Sequence, residues 1–351
     1  MSDYLANSYP RLARRLPRLT LAELPTPVVR TKLVLGTTGH EIAIKRDDLT
    51  GKLYGGNKVR KLEYLLHKAA QRNARCVATF GTVASNHALA TALYARQLGY
   101  DALCFLSHQT KTKSAAQALN LHLQNNTEII QYGGGRRNRV ATLRENLRRR
   151  RVFLIPPGGS NWLGAVGFVN AGLELASQIA VGEIDEPVRL YVANGTMATA
   201  VGIALGLALA RLKTEVHAIQ VTEDFVSSPE SMHRLLSKTA SVLHRLDPSI
   251  PTELAARANY QFRSGFLGDG YAKTNDATDA AIAVARDELG IALDATYTGK
   301  AMAALLHDLG TQTRDGSVMF WNTYNSRPMP VSVEQPFDRG NLPDAFLRYF
   351  Y

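Results

Sequence analysis

Three stretches of the chain hold residue types whose spacing suits chemistry on a small ligand. The first is K-R-D-D-L-T-G at 45–51, followed by G-G-N-K-V-R-K-L-E-Y at 55–64. Adjacent glycines let the backbone approach a ligand, Asn57 is a helix-capping residue, and Lys58 falls in the first helical turn. A cation is disfavoured at that end of a helix. The same field lowers an amine pKa, which a Schiff-base lysine requires; on this stretch alone, a surface lysine is the ordinary alternative. The second stretch, F-G-T-V-A-S-N-H at 80–87, reads as a strand end, a small-residue loop and a helix start. Ser85 and Asn86 serve there either as caps or as a proton-carrying hydroxyl and an amide at a pocket mouth. The third, A-N-G-T-M-A-T-A-V-G at 193–202, offers backbone N–H groups, the Thr196 and Thr199 hydroxyls and a helix dipole. That combination suits a phosphate monoester carried by a cofactor. It lacks the lysine-bearing nucleotide loop pattern, and G-G-G at 133–135 does not complete a dinucleotide fingerprint.

The elements that must position these residues alternate. Period and composition predict strands at 41–45, 76–80, 102–106, 128–132, 189–193, 216–221 and 317–321. Helices are predicted at 59–70, 87–98, 114–123, 140–151, 164–179, 199–212, 229–246, 274–289 and 299–309. Alternation of this kind predicts parallel sheets covered by helices on both faces, with ligands at the carboxyl ends of the strands. The 351 residues suffice for about two domains.

The net charge of +11 is local: eight arginines between Arg136 and Arg151 stand against Glu145 alone. With no aromatic interleaving this reads as a solvated helix face, and no nucleic-acid partner is expected. Cys76 and Cys104 form no C-x-x-C pair, which suits a reducing compartment, with the cytoplasm expected, and leaves no metal site expected. The longest apolar run, 197–210, is shorter than the roughly 20 residues of a spanning helix, and Asp3, Pro10 and Pro17 interrupt any leader pattern. No membrane partner is expected.

Together with P-G-G-S-N at 157–161, G-x-x-G-F at 164–168 and L-D-A-T-Y-T-G-K-A-M at 293–302, these stretches resemble the pyridoxal-phosphate (PLP) enzymes of fold type II, the tryptophan-synthase-β-like fold. More narrowly, they resemble the family of D-cysteine desulfhydrase and 1-aminocyclopropane-1-carboxylate (ACC) deaminase. The resemblance runs from L-P-T-P at 24–27 to about Trp321. It implies an α/β architecture of two doubly wound parallel-sheet domains with pyridoxal 5'-phosphate in the cleft between them. The large domain would comprise 1–60 plus 171–351 and the small inserted domain 61–170. A homodimer is implied as well.

Residue by residue, the resemblance makes Lys58 the Schiff-base lysine that later shuttles the Cα proton. Ser85 would contact the substrate carboxylate or act through its hydroxyl, and Tyr271 and Tyr297 would line the substrate pocket as catalytic residues. Asn86 would bond the cofactor's phenolate oxygen, and Thr196, Met197, Ala198 and Thr199 would hold its phosphate, the middle two through N–H. Thr298 and Thr323 fall where the pyridine nitrogen finds its partner. ACC deaminases carry a glutamate directly after the tyrosine matched by Tyr297, and its charge keeps that nitrogen protonated. Thr298 is neutral, which suits elimination of a good β-leaving group such as sulfide. The expected activity is therefore a PLP-dependent β-eliminating deaminase or lyase of a small amino acid, D-cysteine desulfhydrase-like. ACC deamination and L-cysteate sulfo-lysis are the alternatives, and a catalytically silent binding protein is the alternative of another class. Departures from the family pattern at Ala84, Met197, Asn322, Tyr324 and Asn325 bear on substrate choice more than on the cofactor.

Overall fold

The computed structural model describes residues 3–147, 151–311, 316–328 and 342–351. The chain opens with α1 (Tyr4–Ser8), α2 (Pro10–Arg15), β1 (Val28–Leu35), β2 (Thr38–Lys45) and α3 (Lys58–Gln71). Next come β3 (Cys76–Thr82), α4 (Asn86–Gln97), β4 (Asp101–Ser107), α5 (Lys113–Gln124), β5 (Glu128–Gln131), α6 (Arg136–Leu147) and β6 (Val152–Leu154). They are followed by α7 (Trp162–Ala180), β7 (Arg189–Asn194), α8 (Ala198–Leu209), β8 (Glu215–Gln220), α9 (Pro229–Leu246) and α10 (Leu254–Arg257). The last are β9 (Tyr260–Arg263), α11 (Asp276–Asp287), α12 (Thr298–Thr311) and β10 (Val318–Trp321).

These elements form two compact units, Met1–Tyr64 with Ser160–Arg327 and Leu65–Gly159 with Pro328–Tyr351. In the first unit a six-stranded sheet runs in the order β1-β2-β10-β7-β8-β9. It is parallel except for the antiparallel β1–β2 pair at one edge. The second unit holds a parallel sheet in the order β5-β4-β3-β6. The fold is thus the α/β architecture with two largely parallel sheets that the alternation predicts.

The units divide differently from the expected 60/61 and 170/171 boundaries, for physical reasons. Helix α7 packs along α8 at glycines: a Cβ on Gly172 would lie 2.9 Å from the Gly206 Cα, and one on Gly167 would lie 2.2 Å from the Arg60 carbonyl oxygen. Such approaches admit no side chain, so Ser160–Asn170 goes with the first unit. The C-terminal residues go with the second. There the Tyr349 hydroxyl accepts from the Gln109 N–H and donates to the Gln109 carbonyl, both at 3.0 Å, and the Phe346 and His108 rings meet at 5.0 Å.

Helix α7 is apolar and long enough, at 19 residues, to cross a membrane, but most of it is buried within the first unit as a core helix. The arginine-rich helix spans Arg136–Leu147 rather than 140–151, and the chain then forms β6 beside β3. Arg137, Arg139, Arg144 and Arg151 are exposed, while Arg148, Arg149 and Arg150 lie outside the described residues.

Between strand β2 and helix α3 the first unit buries a network of full charges. Lys45 Nζ donates to Glu174 Oε1 at 2.6 Å, to the Thr26 carbonyl at 2.7 Å and to Gln178 Oε1 at 2.5 Å. The Arg60 guanidinium reaches Asp47 Oδ1 at 2.7 Å and Glu174 Oε2 at 2.9 Å. None of the four charged side chains is more than 1% exposed. Burial pushes the Glu174 carboxyl up, but Arg60 and Lys45 overcome it and hold the group down to about 2. Removing one partner from such a set strands an uncompensated charge, which costs about 3–5 kcal/mol. Glu174→Ala is therefore expected to lower the unfolding free energy by roughly that amount; an unchanged urea midpoint and slope would show that the network carries no stability.

Candidate active site

Lys58 is the first residue of α3. The loop before it is fixed from two sides. The Gly56 N–H donates to the Asp47 carbonyl at 2.9 Å, and the Gly55 N–H donates to Asn325 Oδ1 at 2.6 Å. Gly56 has φ +88°, and a Cβ there would lie 2.8 Å from the carbonyl oxygens of both Thr323 and Tyr324. Only glycine meets both the left-handed backbone and that approach without strain. Asn57 donates its N–H to the Thr323 carbonyl at 3.2 Å and its side-chain amide to Thr199 Oγ1 at 3.0 Å. This one loop thereby ties Lys58 to the segment after β10 and to the start of α8.

Desolvation by burial lowers the Lys58 amine to about 8, opposed by the negative charge of Asp294. Burial, rather than the helix terminus invoked from sequence, is the leading cause. Three residues on, Lys61 is buried and held well below its ordinary value, first by burial and then by Lys58.

The loop from β7 to α8 carries Thr196, Met197, Ala198 and Thr199. Met197 occupies the N-cap position at φ +71° with no side-chain cap on the helix. A residue with a Cβ is strained there by about 1–3 kcal/mol, a cost that clusters at ligand sites. Ser160 Oγ donates to Thr196 Oγ1 at 2.7 Å, and Thr199 is nearly buried. Hydroxyls from Ser160, Thr196 and Thr199 therefore surround a helix start whose first-turn N–H groups lack a side-chain cap, the donor set a phosphate monoester requires.

Tyr271 and Tyr297 come together through their hydroxyls, with ring centroids 5.8 Å apart. Each is anchored from behind. The Tyr271 N–H donates to Glu223 Oε1 at 3.0 Å, and Lys300 Nζ holds the same loop by donating to the carbonyls of Leu267 at 2.6 Å and Gly270 at 2.9 Å. A Cβ on Gly195 would lie 3.4 Å from Tyr297 Cε1, so this phenol packs against the phosphate-type loop. Burial first, then Tyr271, raises the Tyr297 hydroxyl well above its usual range.

Thr298 is almost fully buried, and its hydroxyl is engaged: it accepts the Asp294 N–H at 2.8 Å and lies 3.4 Å from Asp294 Oδ2. Thr323, 9% exposed, directs its carbonyl to Asn57. Ser85 and Asn86 belong to the second unit, where Ser85 is the N-cap of α4. Its Oγ accepts the Ala88 N–H at 3.2 Å, and Asn86 is the first helical residue. Sequence reasoning missed Asn57 as the link to Thr199, Ser160 as a partner of Thr196, and Asp294. The signal for the last was its place three residues before Tyr297, where a carboxylate closes a turn onto a helix start.

The profile of the pyridoxal-phosphate dependent enzyme family matches residues 19–323, and the chain belongs to that family. It is 33% identical over 319 residues to a D-cysteine desulfhydrase of Salmonella choleraesuis, covering 88% of this chain and 94% of that one. A D-cysteine desulfhydrase of Klebsiella pneumoniae strain 342 is also 33% identical, over 321 residues and with the same coverage. Among solved structures, an ACC deaminase homologue superposes with a TM-score of 0.75 at 26% identity over 99% of both chains. A fungal L-serine ammonia-lyase from Rhizomucor miehei shares the fold at a TM-score of 0.58 and 17% identity, covering 94% of this chain and 99% of that one.

Pyridoxal phosphate is the cofactor, and the donor set at the start of α8, with a half-buried, depressed lysine tied to it through Asn57, fits that group. Thr199→Val removes a hydroxyl from the cradle and the acceptor of Asn57. With two hydrogen bonds lost at about 1 kcal/mol each, the variant is expected to bind pyridoxal phosphate about thirtyfold more weakly in equilibrium dialysis; unchanged affinity would remove Thr199 from the site.

Proposed function

We propose that the protein is a β-eliminating lyase that converts D-cysteine, or a close relative of it, to pyruvate, sulfide and ammonia. The observation that carries this reading is Thr298. It stands directly after Tyr297 as a neutral hydroxyl already bonded to Asp294, so no carboxylate at that position supports protonation of a pyridine nitrogen, and a substrate with a good leaving group suits the site. The relatives named D-cysteine desulfhydrase at 33% identity support the same choice.

Bound pyridoxal phosphate supplies the electron sink for the carbon that bears the substrate amine. Thr196, Thr199 and the N–H groups of Met197 and Ala198 hold the phosphate. Lys58 would hold the cofactor, and its amine when free of it, lowered from its ordinary value by burial, would take the Cα proton in its neutral form. The Cβ–S bond then breaks with its electron pair on sulfur, and water releases ammonia from the remaining fragment to leave pyruvate. Tyr297 keeps its phenolic proton at neutral pH and, paired with Tyr271, donates toward the departing sulfur. Thr323 supplies a neutral partner for the ring nitrogen. Ser85 and Asn86 keep the roles the family resemblance implies, contact to the substrate carboxylate and to the phenolate oxygen. We further propose a cytoplasmic homodimer, the compartment supported by two buried free cysteines.

The test is a panel of D-cysteine, L-cysteine, L-cysteate and ACC assayed for keto acid and for sulfide or sulfite. Pyruvate and sulfide are expected from D-cysteine and are expected to disappear in Lys58→Ala. Release of α-ketobutyrate from ACC with none of pyruvate from cysteine would replace the reading with ACC deamination, and no keto acid from any member would replace it with a binding role.

A further inference from the structure

The loop between β3 and α4, which carries Ser85, rests on the end of its neighbour β4 within the second unit. The Val83 N–H donates to the Ser107 carbonyl at 3.1 Å, Ser107 Oγ donates to the Gly81 carbonyl at 3.4 Å, and the Ala84 N–H donates to Gln109 Oε1 at 3.3 Å. Ser85 turns back over Gly81: a Cβ on that glycine would lie 2.7 Å from Ser85 Oγ. The Ser85 hydroxyl is therefore placed by residues 107–109 as well as by its own helix. A glutamine side chain on a loop is a loose partner, since fixing it costs rotamer freedom. Here its backbone is held by Tyr349, 240 residues away in the chain. The Tyr349 hydroxyl accepts the Gln109 N–H and donates to the Gln109 carbonyl, both at 3.0 Å, and lies 3.2 Å from His108 Nδ1. The buried rings of Phe346 and Tyr349 pack on the His108 ring with centroids at 5.0 and 5.9 Å. Both belong to the short helical turn Asp344–Tyr349, which thus docks at the carboxyl end of β4, where a parallel sheet keeps its ligand loops.

We propose that Tyr349 is a positioning residue: through Gln109 it sets the loop that presents Ser85. This rests on the reading of Ser85 as the contact to the substrate carboxylate. One phenolic hydroxyl satisfies both backbone groups of Gln109 and so fixes the direction in which its side chain leaves the loop. That side chain then fixes Ala84, the residue directly before Ser85. Without the hydroxyl, Gln109 keeps its acceptor but loses the frame that aims it, and the effect reaches Ser85 as disorder of its loop. A contact that must be ordered when the substrate arrives weakens binding by the entropy of ordering it, so the loss falls on substrate capture.

Tyr349→Phe deletes the hydroxyl and keeps the ring against His108; Gln109→Met deletes the acceptor and keeps the length of the side chain. Hydrogen exchange of the full chain without cofactor is read by mass spectrometry with fragmentation that resolves the Ala84 amide. Each variant is expected to speed exchange at Ala84 about tenfold, with the amides of β4 unchanged. Because the two residues act in series, the double variant is expected to exchange no faster than the faster single one. In the cofactor-loaded enzyme, Tyr349→Phe is expected to raise KM about fivefold, with kcat within about twofold, for the member of the amino-acid panel that is turned over. Exchange at Ala84 that is unmoved in Tyr349→Phe, or additive in the double variant, overturns the proposal, and so does an unmoved KM beside faster exchange. If Tyr349→Phe does not fold, unmoved exchange at Ala84 in Gln109→Met overturns it instead. The exchange measurement needs neither cofactor nor substrate, so failure of the D-cysteine reading in the panel and failure of this proposal are separate results.

Discussion

The buried charges of Lys45, Asp47, Arg60 and Glu174 are the constraint on which the rest of the first unit depends. Glu174 accepts from Lys45, Arg60 and the Thr26 N–H at once, so strand β2, the segment before β1, helix α3 and helix α7 meet at one carboxylate. Such sets gain little over a well-packed apolar core and are paid for in desolvation; their use is in specifying geometry, since each partner tolerates only one arrangement. Here the arrangement places Arg60 two residues beyond Lys58. A lysine at the mouth of a helix is otherwise a flexible group, and its position is set by the fixed turn behind it.

The loop in front of Lys58 shows how the departures from the family pattern are absorbed. Asn325 receives the Gly55 N–H and also the Arg327 N–H at 3.1 Å, so an amide side chain fastens the two segments. The segment also bonds through the Ser326 N–H to the Asp48 carbonyl at 3.1 Å. Tyr324, the other replacement, comes within electrostatic reach of Asp294. At Met197 the departure costs backbone strain, since the position keeps a left-handed φ.

The sheets were legible in the sequence because their central strands are continuous apolar runs between helical periods, as at Cys76–Thr82 and Asp101–Ser107. The edge strand β5 was read as well, but the edge strands β1, β6 and β9 were not. β1 alternates poorly and is largely open to solvent, and β9 has four residues. The α6 helix begins directly after three glycines, with no capping residue to mark it, which is why its start was placed late. At the site, the motif around Lys58 was visible, but the sequence did not separate its chemistry from its scaffolding. Lys45 and Asp47 carry as much character as Lys58, and only the contact with Glu174, 129 residues away, assigns Lys45 to the core. Asp294 was hidden for a related reason, since the distant groups its charge acts on, Lys58 and Tyr324, lie far from it in the chain.

The chemistry of the site turns on Lys58, and no other lysine, carrying the cofactor. Lys61 is the sharpest competitor: it lies three residues away, is buried, and has an amine held well below its ordinary value. Reduction of the cofactor-loaded protein with borohydride, followed by digestion and fragment-ion sequencing of the phosphopyridoxyl peptide, separates the two. The modification is expected on Lys58 alone; a phosphopyridoxyl group on Lys61, or on any other lysine, contradicts that assignment.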